Sequence, residues 1–359
     1  MIEVKAPAVV KLFGEHATVY GKLSLAAAVS LYATAAAQEY VSKELFRLDL
    51  PDLKLSCNVP MWMLEKVASV WKSRDSKTPG KINETIEKLL EEMHIDSGLL
   101  PYVVIAARLH SDHKAALAGL RIAVNSEIPV SSGYASSAAC VTAFTAALAK
   151  ACKLGLGDEE FIDIARDGDR IIHKNEGAGR IDVSTCYYGG YVSYSAGTGP
   201  VKLDIDTQLN LLLVNTGPKK PTSETVGHIA DLYKADRANT EQALDNIGRY
   251  AKDGIAALKN NDLLALGGLM NLNQQILKGL GVSSEGLDTM SEISSRNFGL
   301  GAKLSGGGGG GLGIVLVSDE KRAEKITDAM REAGFDVKKV PVEFKGVKSA
   351  MKQKATVKR

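Results

Sequence analysis

Two aspartates and two loops of small residues are the parts of this chain best suited to chemistry. The stretch PVSSGYASSAA, Pro129 to Ala139, is built largely of small residues and opens straight into a helical pattern. Small side chains let backbone N–H groups approach an anion, and a helix start adds unpaired donors and partial positive charge. Ser136 and Ser137 can cap that helix or place a hydroxyl on a metal. The stretch is not a GxxxxGK[ST] loop. It serves equally well as a phosphate cradle or as a tight turn feeding a packing helix. Asp169 and Asp182 lie on either side of the glycine-containing segment NEGAGR. An aspartate suits a hard cation or a general base, and an isolated one more often ends or caps a helix. Glu15 and His16 in GEHATVYG stand where a strand gives way to a turn, a frequent place for binding groups. KLSGGGGGGLGIVL, Lys303 to Leu316, carries six glycines in a row. Alone, such a run reads as a linker. Here it contains no serine or charge and is flanked by strand-like residues, which fits a buried hairpin better.

These groups need elements to hold them. MIEVKAPAVVKLF alternates like a strand, and LSLAAAVSLYATAAAQEYV holds β-leaning apolar runs. Residues 61–73 and 82–94 have helical spacing of apolar positions, and LAGLRIAVNSEIPV reads as a strand entering a loop. SSAACVTAFTAALAKAC and residues 158–174 are predicted helices, and RIDVSTCYYGGYVSYS is predicted β-like with a Gly-Gly turn. After Leu203 the expected order is strand 209–215, helix 223–232, two helices within 240–280, strand 313–317, helix 321–333 and strand 335–341. Strands and helices mix without a strict βαβ repeat, so the expectation is an α+β fold in two lobes. The expected division is 1–202 and 203–345, with a basic tail at 346–359 that reads as a solvated terminus.

Bulk composition excludes several partners. Lys+Arg number 44 against 42 Asp+Glu, so no nucleic-acid partner is expected. The four cysteines form no CxxC pair and no metal spacing, which fits reduced thiols in a cytoplasmic protein. The first residues carry charge inside their apolar stretch, so no signal peptide is expected, and no apolar window is long enough for a membrane span.

Five stretches, taken together, resemble the GHMP kinase superfamily, and within it the mevalonate kinases. They are APAVVKLFGEHATVYG, IPVSSGYASSAAC, VNTGPKKPTSETV, MNLNQQILKGLGVSSEGLD and KLSGGGGGGLGI. The resemblance covers nearly the whole chain. It implies an N-terminal lobe like domain 2 of ribosomal protein S5 and a ferredoxin-like C-terminal lobe, with ATP and a small alcohol between them. The implied reaction moves the γ-phosphate of ATP to the 5-hydroxyl of mevalonate, with Mg2+. A related acceptor (phosphomevalonate, or the 3-hydroxyl of mevalonate) or an inactive ATP-binding homologue are the alternatives. Dimers are common in the family, so the resemblance allows a homodimer, by analogy only. The resemblance assigns ATP phosphates to Pro129, Ser131, Ser132, Gly133, Tyr134, Ala135, Ser136, Ser137 and Ala138, and Mg2+ to Ser137 and Asp169. It assigns catalysis to Asp182 and Lys11, and acceptor contacts to Glu15, His16 and Thr222.

The chain also departs from the family pattern. Val9 stands where the phosphate-assisting lysine is usual, and Lys11, two residues on, is expected on the same strand face. Tyr134 and Ala135 replace a usual Leu-Gly, so Ala135 is expected at negative φ. The glycine run is expected to form a tight turn against SSGYASS, leaving space for the triphosphate.

Overall fold

The computed structural model describes residues 1–73, 79–128, 135–173 and 180–352. The first sheet has seven strands: β1 (Ile2–Phe13), β2 (Ser24–Glu39), β3 (Leu45–Leu50), β4 (Leu55–Pro60), β5 (Leu120–Ser126), β6 (Tyr191–Ser195) and β7 (Gly199–Leu203). Its order is β4-β3-β5-β2-β6-β7, with β1 on the other edge of β2. The long β2 organises it. One edge pairs with β1 from end to end, while the other takes β6 at Ser24–Ala27 and β5 at Ala33–Glu39. Six helices accompany this sheet: α1 (Met61–Lys72), α2 (Pro79–Glu92), α3 (Leu100–His113), α4 (Ser136–Ala151), α5 (Asp158–His173) and α6 (Arg180–Tyr188). The alanine-rich α4 lies directly on β1 and β2, where small side chains permit close approach.

The helix α6 corrects the sequence reading of residues 180–188 as β-like. Isoleucine, valine, threonine and tyrosine favour strands. In the fold, however, this segment packs among α4, α5 and β1, and Ile181, Val183, Ser184, Thr185, Cys186 and Tyr187 are all buried. Burial on nearly every side erases the helical apolar stripe and lets tertiary packing override propensity. The Thr185 hydroxyl returns to the Ile181 carbonyl at 2.7 Å, so its buried polar group is satisfied within the helix.

The second sheet is built from β8 (Asn210–Asn215), β9 (Gly301–Leu304), β10 (Leu312–Val317) and β11 (Asp336–Pro341), in the order β11-β8-β10-β9. All its pairings are antiparallel. This order with crossover helices is the ferredoxin-like arrangement. The helices are α7 (Thr222–Ala235), α8 (Arg237–Lys259), α9 (Leu263–Gly279), α10 (Glu285–Arg296) and α11 (Glu320–Glu332). Both faces of the sheet are covered. Leu211, Leu213, Ile314 and Leu316 join the core shared with the first sheet, while Leu212, Val214, Val315 and Val317 pack in a second core with residues of α10 and α11. This explains why LLLV and IVLV are continuous apolar runs rather than alternating ones.

The chain then returns to the first sheet. Val342 bridges Val29 in the gap on β2 between β5 and β6, and Glu343 exchanges backbone bonds with Ala28 and Gly190. Val347 is fully buried, and α12 (Val347–Lys352) packs on α4, α6 and β1. The expectation of a solvated tail therefore fails over residues 347–352, because Val347, Ala350 and Met351 give that segment an apolar side to bury. Residues 353–359 lie outside the described residues. Among the described residues no helix is long and apolar enough to cross a membrane.

Candidate active site

Asp182 lies in the first turn of α6, where the helix start favours a negative charge. Lys11, near the end of β1, donates to both of its oxygens, at 2.6 and 2.9 Å. The two side chains are 21% and 19% exposed, so the pair borders open space. Burial is the largest influence on the Lys11 ammonium and acts to lower its pKa. The charge and hydrogen bond of Asp182 outweigh it, with help from Glu15 and Asp169, and the net shift is upward. The backbone N–H of Lys11 donates to Ser305 Oγ at 2.8 Å, tying β1 to the start of the glycine run. Val9 is buried.

Asp169, on α5, is almost completely buried. The Ser137 hydroxyl, in the first turn of α4, lies 3.0 Å from His173 Nε2, and that nitrogen lies 3.6 Å from Asp169 Oδ1. Burial pushes the Asp169 carboxyl upward first. His173 opposes that, Asp182 adds to it, and Ser137 and Lys11 oppose it, leaving a raised pKa. Asp169 Oδ1 is buried without a hydrogen-bond partner. An orphaned carboxylate oxygen beside a serine hydroxyl is a donor set that a hard cation completes. Among the described residues no group of three or more His, Cys, Asp or Glu could hold a metal. Two protein ligands match Mg2+, which keeps water and phosphate oxygens for its other positions.

The loop ahead of α4 is only partly placed. Pro129, Ser131, Ser132, Gly133 and Tyr134 lie outside the described residues, as do Lys174, Gly177 and Gly179. Ala135 precedes α4 at φ 53, in the left-handed region, which corrects the expectation of negative φ. A left-handed alanine costs about 1–2 kcal/mol, held here by the helix that follows. Among the described residues no side chain caps α4. Ser136 Oγ instead lies 3.3 Å from Ser126 Oγ, and Ala138 is buried in the α4 packing face.

Glu15, His16 and Thr222 part company. The Glu15 side chain is fully buried and paired with the equally buried Lys303 of β9, and Asn273 Nδ2 approaches its other oxygen at 3.5 Å. A carboxylate spent on an internal ion pair is not open to an acceptor, so Glu15 reads as a joint between the sheets. His16 is buried, and its Nε2 lies 3.0 Å from the Gly307 carbonyl. A carbonyl only accepts, so Nε2 carries the proton. Burial lowers the His16 pKa to about 4, against the pull of the Gly307 bond and with a contribution from His228, so the ring is neutral near pH 7. Thr222, exposed at the start of α7, comes within 3.0 Å of where a Cβ on Gly307 would stand. His16, Gly307 and Thr222 therefore meet.

The glycine run is a structured turn. A Cβ on Gly310 would stand 2.0 Å from the Pro218 carbonyl oxygen, and Gly309, at φ 69, lies against Lys220. Gly309 N donates to Val282 O at 2.8 Å and Lys220 N to Gly309 O at 3.0 Å. The run thus packs against residues 218–220 and 282. Four of the residues it was expected to meet, 131–134, lie outside the described residues.

Sequence reasoning missed Lys303, Asn273 and the purpose of MNLNQQ. On α9, Asn271 Oδ1 accepts from Ala302 N and Gln274 Oε1 from Leu304 N, both at 2.9 Å. These side chains satisfy the open edge of β9, which has a strand neighbour on one side only. The signal was present, since polar residues one and three apart on an otherwise apolar helix need partners.

Residues 101–190 match the family model for the N-terminal domain of GHMP kinases, and residues 255–336 match that for their C-terminal domain. The mevalonate kinase of Pyrococcus abyssi is 30% identical, over 93% of this chain and 93% of its own. That of Candida albicans is 27% identical over 96% of this chain and 88% of its own. The solved structure of the Methanococcus jannaschii mevalonate kinase superposes with a TM-score of 0.75, at 24% identity, over 95% of this chain and 98% of that one. A match this extensive in sequence, together with a shared fold, places the chain in the GHMP kinase superfamily, the ATP-dependent phosphotransferases of small molecules.

Proposed function

We propose that this kinase phosphorylates the 5-hydroxyl of mevalonate. The observation that carries the mechanism is Asp182 held by Lys11 at 2.6 Å beside the electrostatically linked Asp169. Similarity to mevalonate kinases over more than nine-tenths of both chains supports the acceptor.

Phosphoryl transfer asks mainly for positioning and charge neutralisation. Asp182 orients the acceptor hydroxyl and takes its proton as the oxygen bonds to the γ-phosphorus. The bond from that phosphorus to the departing ADP oxygen breaks. Lys11 keeps Asp182 in place and anionic before the step. Ser137 and Asp169 would hold Mg2+, which when bound neutralises charge on the β- and γ-phosphates. His16, Gly307 and Thr222 form the acceptor end of the site, and the uncapped start of α4 offers backbone donors to phosphate.

A phosphorylated acceptor has less support. It needs extra cations, and of the described candidates Arg180 is already paired with Glu159 and Asp163 and Lys220 with Glu224, which leaves Lys219 alone to meet a second phosphate. The test is ADP release with mevalonate, 5-phosphomevalonate, galactose and homoserine side by side. Mevalonate is expected to give the highest kcat/KM; no release above background with mevalonate overturns the reading.

A further inference from the structure

Lys219 is a cation that the mechanism so far leaves unused. It sits in the loop between β8 and α7, and that loop runs along the glycine turn, with Thr216 N donating to Gly311 O at 2.9 Å and Lys220 N to Gly309 O at 3.0 Å. The methylenes of Lys219 lie 3.1–3.3 Å from where a Cβ on Gly311 would stand. The absent side chain of Gly311 is therefore what lets the lysine stem lie flat along the turn. Lys219 is half-buried, and no carboxylate among the described residues pairs with it. Its neighbour Lys220 is exposed and paired with Glu224 at 3.0 Å. Gly311, against which its stem lies, stands at the neck of the glycine hairpin, where Ser305 N donates to Leu312 O at 2.9 Å and Ser305 Oγ accepts from Lys11 N at 2.8 Å. Burial, and then the charge of Lys11, hold the Lys219 ammonium below its ordinary pKa.

Two ammonium groups borne near the same hairpin neck repel each other unless an anion lies between them. The charge of Lys11 is met by Asp182, and that of Lys219 has no protein counterpart among the described residues. We propose that Lys219 binds the phosphoryl group being transferred, supplying from the second sheet the positive charge that Val9 cannot supply from the first. The reacting end is favoured over a remote carboxylate of the acceptor because Lys11 and Asp182 mark the place where the hydroxyl loses its proton. The inference rests on phosphotransfer by this chain and not on which alcohol accepts.

The test compares Lys219→Met and Lys219→Arg with the unmodified enzyme, using whichever acceptor of the panel is fastest. Lys219→Met is expected to lower kcat about 10²-fold, the scale seen when one preorganised charge-stabilising group is lost. The acceptor KM should change little, and Lys219→Arg should restore most of the rate. Calorimetric titration with magnesium tripolyphosphate should show weaker binding to Lys219→Met and near-normal binding to Lys219→Arg. An unchanged kcat in Lys219→Met overturns the proposal. So does a rise confined to acceptor KM, which would place the charge on the acceptor, and so does failure of arginine to rescue, which would make the role one of packing. If no acceptor is turned over, the acceptor reading fails separately and the tripolyphosphate titration still decides the role of Lys219.

Discussion

The molecule contains two lysine–carboxylate pairs that start from the same end of β1 and sit in opposite environments. Lys11–Asp182 is partly open, with side chains 21% and 19% exposed, while Lys303–Glu15 has none of either side chain exposed. Burial is the largest influence on both lysines. At Lys11 the carboxylate wins and the pKa rises; at Lys303 burial wins over Glu15 and the pKa falls. A pair that stays firmly ionic at an open edge can act on a substrate. A pair sealed between two sheets can only hold them in register, and it does so at a desolvation cost that leaves it intolerant of losing one partner.

Substitutions can break this contrast. Asp182→Asn should lower kcat by roughly 10²–10⁴-fold while leaving the unfolding midpoint and ATP binding near normal; a near-normal rate would remove Asp182 from the mechanism. Lys303→Met should instead cost about 3–5 kcal/mol of stability by stranding a buried charge, read by urea unfolding. The double change with Glu15→Gln should recover part of that loss, and no recovery would mean that the cost lies in packing rather than charge. Gly309→Val places a β-branched residue at φ 69 with its Cβ 2.8 Å from Lys220 Cβ, which should cost about 1–3 kcal/mol and weaken ATP binding. Gly307→Ala has no left-handed φ to oppose it and need only displace Thr222, so about 0.5–1.5 kcal/mol is expected. Equal effects at the two glycines would contradict the turn described here.

His16 gives a separate test, through pH. Its folded pKa is lowered to about 4 from the ordinary histidine value of about 6.5, so between those values the unfolded chain binds a proton that the folded chain refuses. Its contribution is fully present above 6.5 and is lost as pH falls toward 4, at up to about 1.4 kcal/mol per pH unit. His16→Gln should flatten the stability profile over that window in thermal melts. An unchanged slope would show that the ring is not buried neutral in solution.

Much of the site was legible in the residues. Small residues opening a helix, a strand ending in Glu-His and a glycine run between strands each have few physical explanations. The resemblance to a kinase family then ordered them. Other features were not legible. RIDVSTCYY carries strand-forming side chains, and only its burial among α4, α5 and β1 makes it a helix that presents Asp182 from a first turn. Glu15 and His16 are adjacent in sequence, yet one faces Lys303 inside and the other faces Gly307.

By itself the sequence determined residue types, local periodicity and the places where backbone must come close, because these depend on neighbours along the chain. It therefore specified the glycine-rich turn, the strands around it and the pair of aspartates proposed to serve a phosphate. Only the tertiary structure decided which charges would face solvent and which would be sealed, because desolvation depends on what packs across from a side chain. That is why Lys11 could be named as a candidate from its strand, while the partner of Lys303, the lack of a carboxylate partner for Lys219 among the described residues and the return of residues 342–352 to the first sheet emerged only from the fold.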